Sequence, residues 1–371
     1  MMKGNSPHQT NPKDDMSNNE INGNIDHSDQ GNDTEQQDGD TLKSTQGHPY
    51  EALTPDCMID AVESQGYLSD ARILGLNSYE NRVYQVGIED RAPLIAKFYR
   101  PGRWTDEQIH EEHDYTLHLA DLDIPVVPPI RNDAGDTLFH HAGFRFALYR
   151  RQGGHAPELD RWDNLEVIGR FLGRVHAASG EHLFQHRPNV DIDSYGHQSI
   201  QFLLEKQFIP VELEAAYSSL CEDLIAVISQ RFNETQFTTL RLHGDCHPGN
   251  ILWRDDSPHF VDFDDARNGP AIQDLWMLLS GDRDQQTGQL KKLLQGYQQF
   301  CHFSPAELNL VESLRSLRIM QYSAWLARRW DDPAFPMNFP WFNTQRYWSD
   351  HILQLREQLA LLNEPPLQIT L

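Results

Sequence analysis

The sequence is poor in cysteine and has no long apolar run. Its four cysteines lie far apart among 371 residues and form neither a C-x-x-C pair nor a Cys/His cluster with zinc spacing. This usage excludes a disulfide framework and suits a reducing compartment. No segment approaches the roughly 18 apolar residues of a membrane helix, and the N-terminus has no apolar signal region. We therefore expect a cytoplasmic protein without membrane insertion.

Positive charge is scarce as well. Lysine and arginine total 31 against 55 aspartate and glutamate residues, which gives a formal net charge of −24 at pH 7. Because phosphate backbones select basic surfaces, this balance argues against a nucleic-acid partner. It excludes little else, since an acidic body is ordinary for a protein in solution.

The N-terminal segment has few apolar residues. Residues 1–48 are rich in Asn, Asp, Gln, Gly, Ser and Thr, and the apolar residues among them are isolated. Such a segment cannot bury enough surface to offset the entropy lost on ordering. We interpret it as a disordered, polar and acidic tail that is either a solvated extension or a segment that recruits partners.

Two patterns follow the tail. Residues 49–150 read as helix, three strands, helix and two strands, whereas residues 151–371 carry apolar residues mostly at helical spacing. We predict an α+β, two-lobed, protein-kinase-like fold, with an antiparallel sheet and helix in an N-lobe over 49–150 and a mostly helical C-lobe over 151–371. The predicted helices are 55–66, 104–120, 164–178, 212–232, 272–279, 289–300, 305–329 and 346–362, and the predicted strands of the N-lobe are 72–76, 82–88, 93–99, 138–139 and 144–149. The aromatic loop 330–342 should pack on the C-lobe.

The most specific pattern is a pair of short motifs. Residues 243–250 read H-G-D-C-H-P-G-N, and residues 262–264 read D-F-D. Protein kinases carry H-R-D-x-x-x-x-N followed by D-F-G, the arrangement used for magnesium-dependent phosphoryl transfer. Polar residues that merely suit turns are the alternative, but the combined string is too specific for that interpretation.

Each position of these motifs has a predicted role. Asp245 would orient an acceptor hydroxyl and accept its proton late in the transfer. Asn250 and Asp262 offer the hard oxygen ligands that Mg²⁺ prefers. Asp264 and Asp265 add negative charge nearby, and either could bind a second ion.

A strand lysine completes the predicted ATP site. Lys97 lies in I-A-K, which matches the V-A-I-K lysine that holds the α- and β-phosphates. Such a lysine needs a carboxylate partner on the following helix, and the spacing from Ile109 favours Glu112, with Glu111 as the fallback. The alternatives are an exposed strand lysine and a solvated acidic helix face.

A glycine-rich phosphate loop is absent. Residues 76–82 read L-N-S-Y-E-N-R in its place, where Ser78 and Asn81 could cap the phosphates or simply form a polar hairpin. Asp274 could brace the catalytic loop through backbone N–H groups, or it could serve only the electrostatics of its helix start. For Cys246, a small residue that fills a gap is favoured over an oxidation-sensitive switch.

These residues resemble a known family. The strings at 243–253 and 260–278 resemble the aminoglycoside-phosphotransferase/choline-kinase branch of the protein-kinase-like superfamily, and the segments at 76–84, 97–101 and 331–336 are similar to bacterial stress response kinase A proteins. The resemblance covers about residues 50–371 but not the tail. It implies an ATP- and Mg²⁺-dependent serine/threonine protein kinase that is cytoplasmic, monomeric, linked to envelope stress and able to autophosphorylate.

The resemblance also implies the site residues. Asp245 and Asp262 carry the active-site roles, Asn250 and Asp262 hold Mg²⁺, and Ser78 lies at the ATP site. The motif alone leaves the acceptor open, because a small-molecule kinase for choline, homoserine or an aminoglycoside would use the same groups. A pseudokinase that only binds ATP is a third interpretation, which the intact acidic motif opposes.

Overall fold

The computed structural model describes His48 and residues 50–369, apart from Asn77 and Glu181. The predicted disorder of the tail falls on residues outside this range, except for His48. Within it, the predicted α+β fold is confirmed: a five-stranded antiparallel sheet lies in the N-terminal part and helices dominate the C-terminal part. In the described part of the chain, no helix combines the length and apolar character that crossing a bilayer requires.

The sheet has the strand order β1-β2-β3-β5-β4. Its strands are β1 (Ser69–Gly75), β2 (Arg82–Ile88), β3 (Arg91–Phe98), β4 (Phe139–His141) and β5 (Phe144–Arg150). The central strand β3 pairs with β2 and β5, so that Lys97 lies opposite Val83 on one side and Ala147 on the other. This register places Lys97 in the middle of the sheet, where it is 5% exposed.

Two helices accompany the sheet, α1 (Pro55–Glu63) and α2 (Asp106–Asp121). Thr54 caps α1 by accepting a hydrogen bond from the Cys57 amide, and Thr105 forms a capping box with Gln108 at the start of α2. Glu112 of α2 is buried with Ile109, three residues earlier on the same face. Glu112 therefore lies on the buried face of α2.

The C-terminal part contains two apolar clusters, one around α3 and α7 and one around α5, α8 and α10. Its helices are α3 (Trp162–Ala177), α4 (Gln198–Glu205), α5 (Val211–Glu234), α6 (Ile272–Trp276), α7 (Arg283–Tyr297), α8 (Val311–Arg328), α9 (Ala334–Asn338) and α10 (Gln345–Leu362). Helices α3 and α7 cross at backbone contact, since a Cβ on Gly169 would lie 2.0 Å from the Leu293 carbonyl oxygen. A side chain there would force the two helices apart.

Two short two-stranded sheets between α5 and α6 present the motif residues. β6 (Thr239–Leu242) pairs with β9 (Arg267–Pro270), and β7 (Ile251–Arg254) pairs with β8 (Ser257–Phe260). The first motif occupies the loop from β6 to β7, and the second occupies the loop from β8 to β9. Both loops therefore emerge from paired strands, which fix their ends.

Some predicted boundaries are wrong. Helix α7 begins at Arg283, not at residue 289, because Asp282 and Gln285 form a capping box that starts the helix earlier. The predicted helix over 305–329 begins with a three-ten segment, Pro305–Leu310, before α8. The aromatic loop packs as predicted and contains α9, with Phe335, Phe339 and Phe342 buried.

Candidate active site

Asp274, in the first turn of α6, holds the backbone of the first motif through hydrogen bonds. Its two carboxylate oxygens accept hydrogen bonds from the His243 and Gly244 amides at 2.8 and 2.9 Å. Oδ2 also lies 3.0 Å from Nε2 of His176, whose Nδ1 is 2.9 Å from the Tyr297 hydroxyl. Asp274 is fully buried. Burial alone would raise its pKa, but the His176 hydrogen bond and nearby imidazoles keep the pKa below its usual value.

Asp245 follows this braced backbone directly. Its Oδ1 lies 2.6 Å from Nη1 of Arg318, and its Oδ2 lies 3.5 Å from both Nε2 of His247 and Nδ2 of Asn250. The side chain is 21% exposed. One oxygen is thus held by a strong charge contact, while the other has only long contacts and stays accessible to a substrate hydroxyl.

The second motif is tied to the first through backbone. The Val261 amide donates to the Asn250 carbonyl at 3.0 Å, and Nε2 of His243 lies 2.9 Å from the Val261 carbonyl oxygen. The structure therefore brings Asn250 and Asp262 together. Asp262 has a left-handed backbone with φ 60° and ψ 66°, which is uncommon for a residue other than glycine and often marks functional sites.

Lys97 connects the sheet to the second motif. Its Nζ lies 3.4 Å from Glu112, 3.2 Å from Asp262 and 3.1 Å from Asp264. Burial alone would lower its pKa, but these three carboxylates raise the pKa well above its usual value. The lysine is therefore a fixed positive charge next to Asp262.

Glu111 and Glu112 have different surroundings. Glu112 is buried against Lys97, whereas Glu111 accepts hydrogen bonds from the backbone amides of Gln185, His186 and Arg187 at 2.6 to 2.9 Å. Helix geometry explains the difference, because adjacent residues point about 100° apart around the axis. Glu111 holds a loop of the C-terminal part, and Glu112 faces the lysine.

Asp264 and Asp265 are committed to arginines rather than free for a second ion. Arg103 contacts both carboxylates, and Asp265 also lies 2.9 Å from Nη2 of Arg267. Burial alone would raise the pKa of Asp265, but Arg103 and Arg267 lower it to about 2. Arg103 was not predicted as a site residue, because an arginine in a turn carries no motif.

The segment that replaces a glycine-rich loop is anchored by charge. Arg82 and Arg100 reach Asp332 at 3.0 and 2.8 Å, so the sheet is joined to the chain after α8. Asn81 accepts a hydrogen bond from the Arg100 amide and is 2% exposed, which makes it structural. Ser78 is half-buried in this segment, next to Asn77, which lies outside the described residues. Its place at an ATP site stays a prediction.

Cys246 and His243 belong to the interior of the loop. Cys246 is fully buried, and burial raises the pKa of its thiol well above the usual value. A buried neutral thiol is a poor target for oxidants, which favours the packing interpretation. His243 is 1% exposed and hydrogen-bonded to backbone, and so it supports the loop.

Asn250 and Asp262 fit a magnesium ion. Both offer oxygen donors, and the Asp262 side chain is half-exposed with Oδ1 against Lys97. Mg²⁺ in phosphoryl-transfer sites typically takes one or two protein ligands and fills its other positions with water and phosphate oxygens. A metal cage made only of protein ligands would need three or more His, Cys, Asp or Glu residues close together. The described residues contain no such cluster.

Comparison with known proteins gives a family and similar proteins for this chain. Residues 72–310 match the phosphotransferase enzyme family. Stress response kinase A of Escherichia coli O157:H7 is 48% identical over 321 residues, which are 86% of this chain and 97% of that protein. Serine/threonine protein kinase RdoA of Salmonella typhimurium is 45% identical with the same coverage of both chains.

Solved structures share the fold. Amicoumacin kinase hAmiN, in complex with AMP-PNP, Ca²⁺ and Ami, superposes with a TM-score of 0.64 at 17% identity, covering 83% of this chain and 94% of that one. A microcompartment-associated aminopropanol kinase gives a TM-score of 0.57 at 17% identity, covering 81% and 96%. At this identity the likeness concerns the fold alone.

Proposed function

The chain belongs to the phosphotransferase enzyme family, and we propose that it acts there as an ATP- and Mg²⁺-dependent serine/threonine protein kinase of the stress-response type. Its similarity to stress response kinase A proteins confirms the resemblance that the motifs indicated. The observation that carries phosphoryl transfer is the buried Lys97, which joins Glu112 to Asp262 beside the Asp245 loop. The protein acceptor is supported by the name of the Salmonella relative.

In the proposed reaction, Asp245 orients the acceptor hydroxyl through Oδ2, whose only contacts are long. The hydroxyl oxygen forms a bond to the γ-phosphorus as the bond from this phosphorus to the β,γ-bridging oxygen breaks. The bridging electron pair leaves with ADP, and the hydroxyl proton passes to Asp245. Lys97 would hold the α- and β-phosphates, and the Ser78 segment would cover ATP.

Asn250 and Asp262 would hold Mg²⁺ in this site. When bound, the ion neutralises charge on the phosphates and orients them for in-line transfer. Arg103 keeps Asp264 and Asp265 paired, so Asp262 is the carboxylate of the second motif left for this role. Lys97 limits Asp262 to one free oxygen.

The remaining assignments rest on the similarity to stress response kinase A proteins. We propose an N-lobe over residues 49–150 and a C-lobe over residues 151–371, with ATP bound between them. The protein would act as a cytoplasmic monomer on protein hydroxyls and would be able to phosphorylate itself. Size-exclusion chromatography with light scattering tests the monomeric state. Mass spectrometry after incubation with ATP tests self-phosphorylation.

The acceptor class is tested by supplying purified protein with labelled ATP and Mg²⁺. A generic protein substrate is compared with choline, homoserine and an aminoglycoside in parallel reactions. We expect label on protein serine or threonine. High turnover on a small molecule with no label on protein would replace the proposal by a small-molecule kinase, and no transfer at all would favour a pseudokinase.

Replacing Lys97 by Met should lower kcat/KM for ATP about 10- to 100-fold, because a charged contact to the phosphates is lost. The change should appear largely in KM for ATP, and Lys97→Arg should recover part of the affinity. Steady-state kinetics against ATP, with thermal melting of each variant, make the measurement. Lys291→Met, an exposed lysine change on α7, is the control and should leave both constants unchanged. An unaltered KM in Lys97→Met would remove Lys97 from the ATP site.

A further inference from the structure

Arg318, on α8, contacts Asp245 from the side of the C-terminal part. Its Nη1 lies 2.6 Å from Oδ1 of Asp245, and its side chain is 35% exposed. A guanidinium has five N–H donors, and this contact uses one nitrogen. Among the residues that the structure describes, no other hydrogen bond or ion pair of Arg318 is present. The remaining donors are therefore free to bind a group that enters the site.

Arg318 is paired with Asp245, and among the residues that the structure describes no other carboxylate pairs with it. The nearby Asp265 already binds Arg103 and Arg267. On the other side of Asp245 lies His247, and burial lowers the pKa of its imidazole, which therefore adds no fixed positive charge. Arg318 is thus a cationic side chain at the acceptor side of Asp245.

We propose that Arg318 determines acceptor specificity: it binds a carboxylate next to the acceptor hydroxyl, so that serine or threonine flanked by Asp or Glu is preferred. This inference rests on the proposed protein-kinase function and names its substrate class as acidic peptides. A planar guanidinium suits a carboxylate because it can donate two parallel hydrogen bonds. A cationic acceptor group would instead meet a like charge, which is how sites reject wrong partners.

Arg318 is at the same time a positioning residue for Asp245. By holding Oδ1, it leaves Oδ2 for the acceptor hydroxyl and limits rotation of the carboxylate. A neutral replacement should therefore affect both the choice of peptide, through KM, and the chemical step, through kcat. Replacing a residue that only supports the fold would not change the ratio of kcat/KM between peptides.

The test uses the full-length protein and three peptides of equal length, each with one serine flanked on both sides by Asp, by Ala or by Lys. In the parent, kcat/KM for the Asp peptide should exceed that for the Lys peptide by roughly tenfold or more, mainly through KM, as one charge-assisted contact would give. Arg318→Gln should bring this ratio close to one, and Arg318→Lys should restore part of it. Arg315→Gln, on the same helix, should keep the parental ratio, because Arg315 pairs with Glu312 instead.

The outcomes separate the two proposals. Peptide phosphorylation with equal rates for all three peptides, or a ratio that survives in Arg318→Gln, overturns the specificity role and leaves the protein-kinase function standing. Efficient phosphorylation of choline with no peptide phosphorylated overturns both. Binding of a fluorescent ATP analogue, unchanged in Arg318→Gln, shows that the variant is folded and that its peptide kinetics are interpretable.

Discussion

Replacing Asp245 by Asn should lower kcat about 10²- to 10⁴-fold while ATP binding stays nearly unchanged, because an amide cannot accept the hydroxyl proton. Asn has almost the same shape, so the loop held by Asp274 should keep its backbone. In the parent, Nη1 of Arg318 lies 2.6 Å from Oδ1 of Asp245. The side-chain amide of the variant must therefore place its oxygen, not its NH2 group, against Arg318. Single-turnover transfer measures the chemical step, and a fluorescent ATP analogue measures binding.

The control for this change lies in the neighbouring turn. Asp255 is 88% exposed, has φ 53° and joins β7 to β8, where Asn is tolerated equally well. Asp255→Asn should therefore keep full activity and the parental melting temperature. If Asp245→Asn also kept full activity, the hydroxyl proton would have another acceptor, and the role given to Asp245 would be wrong.

The residues of the two motifs could be selected from the sequence because their arrangement depends on local spacing. Asp245 and Asn250 share one loop, and Asp262 follows one hairpin later, so short strings carry their arrangement. Glu112 could be favoured over Glu111 from helical periodicity alone, since Ile109 marks the buried face of α2. The α+β fold followed from the same kind of periodicity, and the sheet and the helical part lie where it placed them.

The arginines around the site could not be found in this way. Arg103 meets Asp264 across 161 positions of the chain, and Arg82 meets Asp332 across 250. Arg318 lies in a largely buried helix that carries no motif, and an arginine on a helix usually belongs to a solvated face. Only the packing of α8 against the loop of residues 243–250 makes it a neighbour of Asp245. Short strands such as β6 and β9 were missed for a related reason, because four residues are too few to show a period.

Asp274→Asn should reduce the free energy of unfolding by about 3 kcal/mol or more, because a fully buried acceptor becomes partly a donor. In the parent, Oδ2 accepts from the His243 amide and contacts His176. An amide nitrogen at either oxygen position would face a backbone N–H with no acceptor between them. The same change should shift the loop that carries Asp245 and lower kcat by tenfold or more, since small displacements of reacting groups are costly. Urea unfolding and single-turnover transfer measure the two effects.

Asp282→Asn provides the matched control and shows why burial decides the size of the effect. Asp282 also accepts a backbone hydrogen bond at the start of a helix, from the Gln285 amide at 2.9 Å, but it is exposed. Asn caps helices about as well as Asp, so this variant should stay within about 0.5 kcal/mol of the parent.

The pH dependence of stability gives an independent check on the role of Asp274. Because the pKa of Asp274 is lowered in the folded protein, its contribution is present above the unfolded pKa of about 4 and is lost as pH falls through the folded value. The stability difference between parent and Asp274→Asn should therefore be constant from about pH 5 to 7 and shrink below about pH 4. A difference that persisted undiminished at lower pH would mean that the charge of Asp274 does not stabilise the loop.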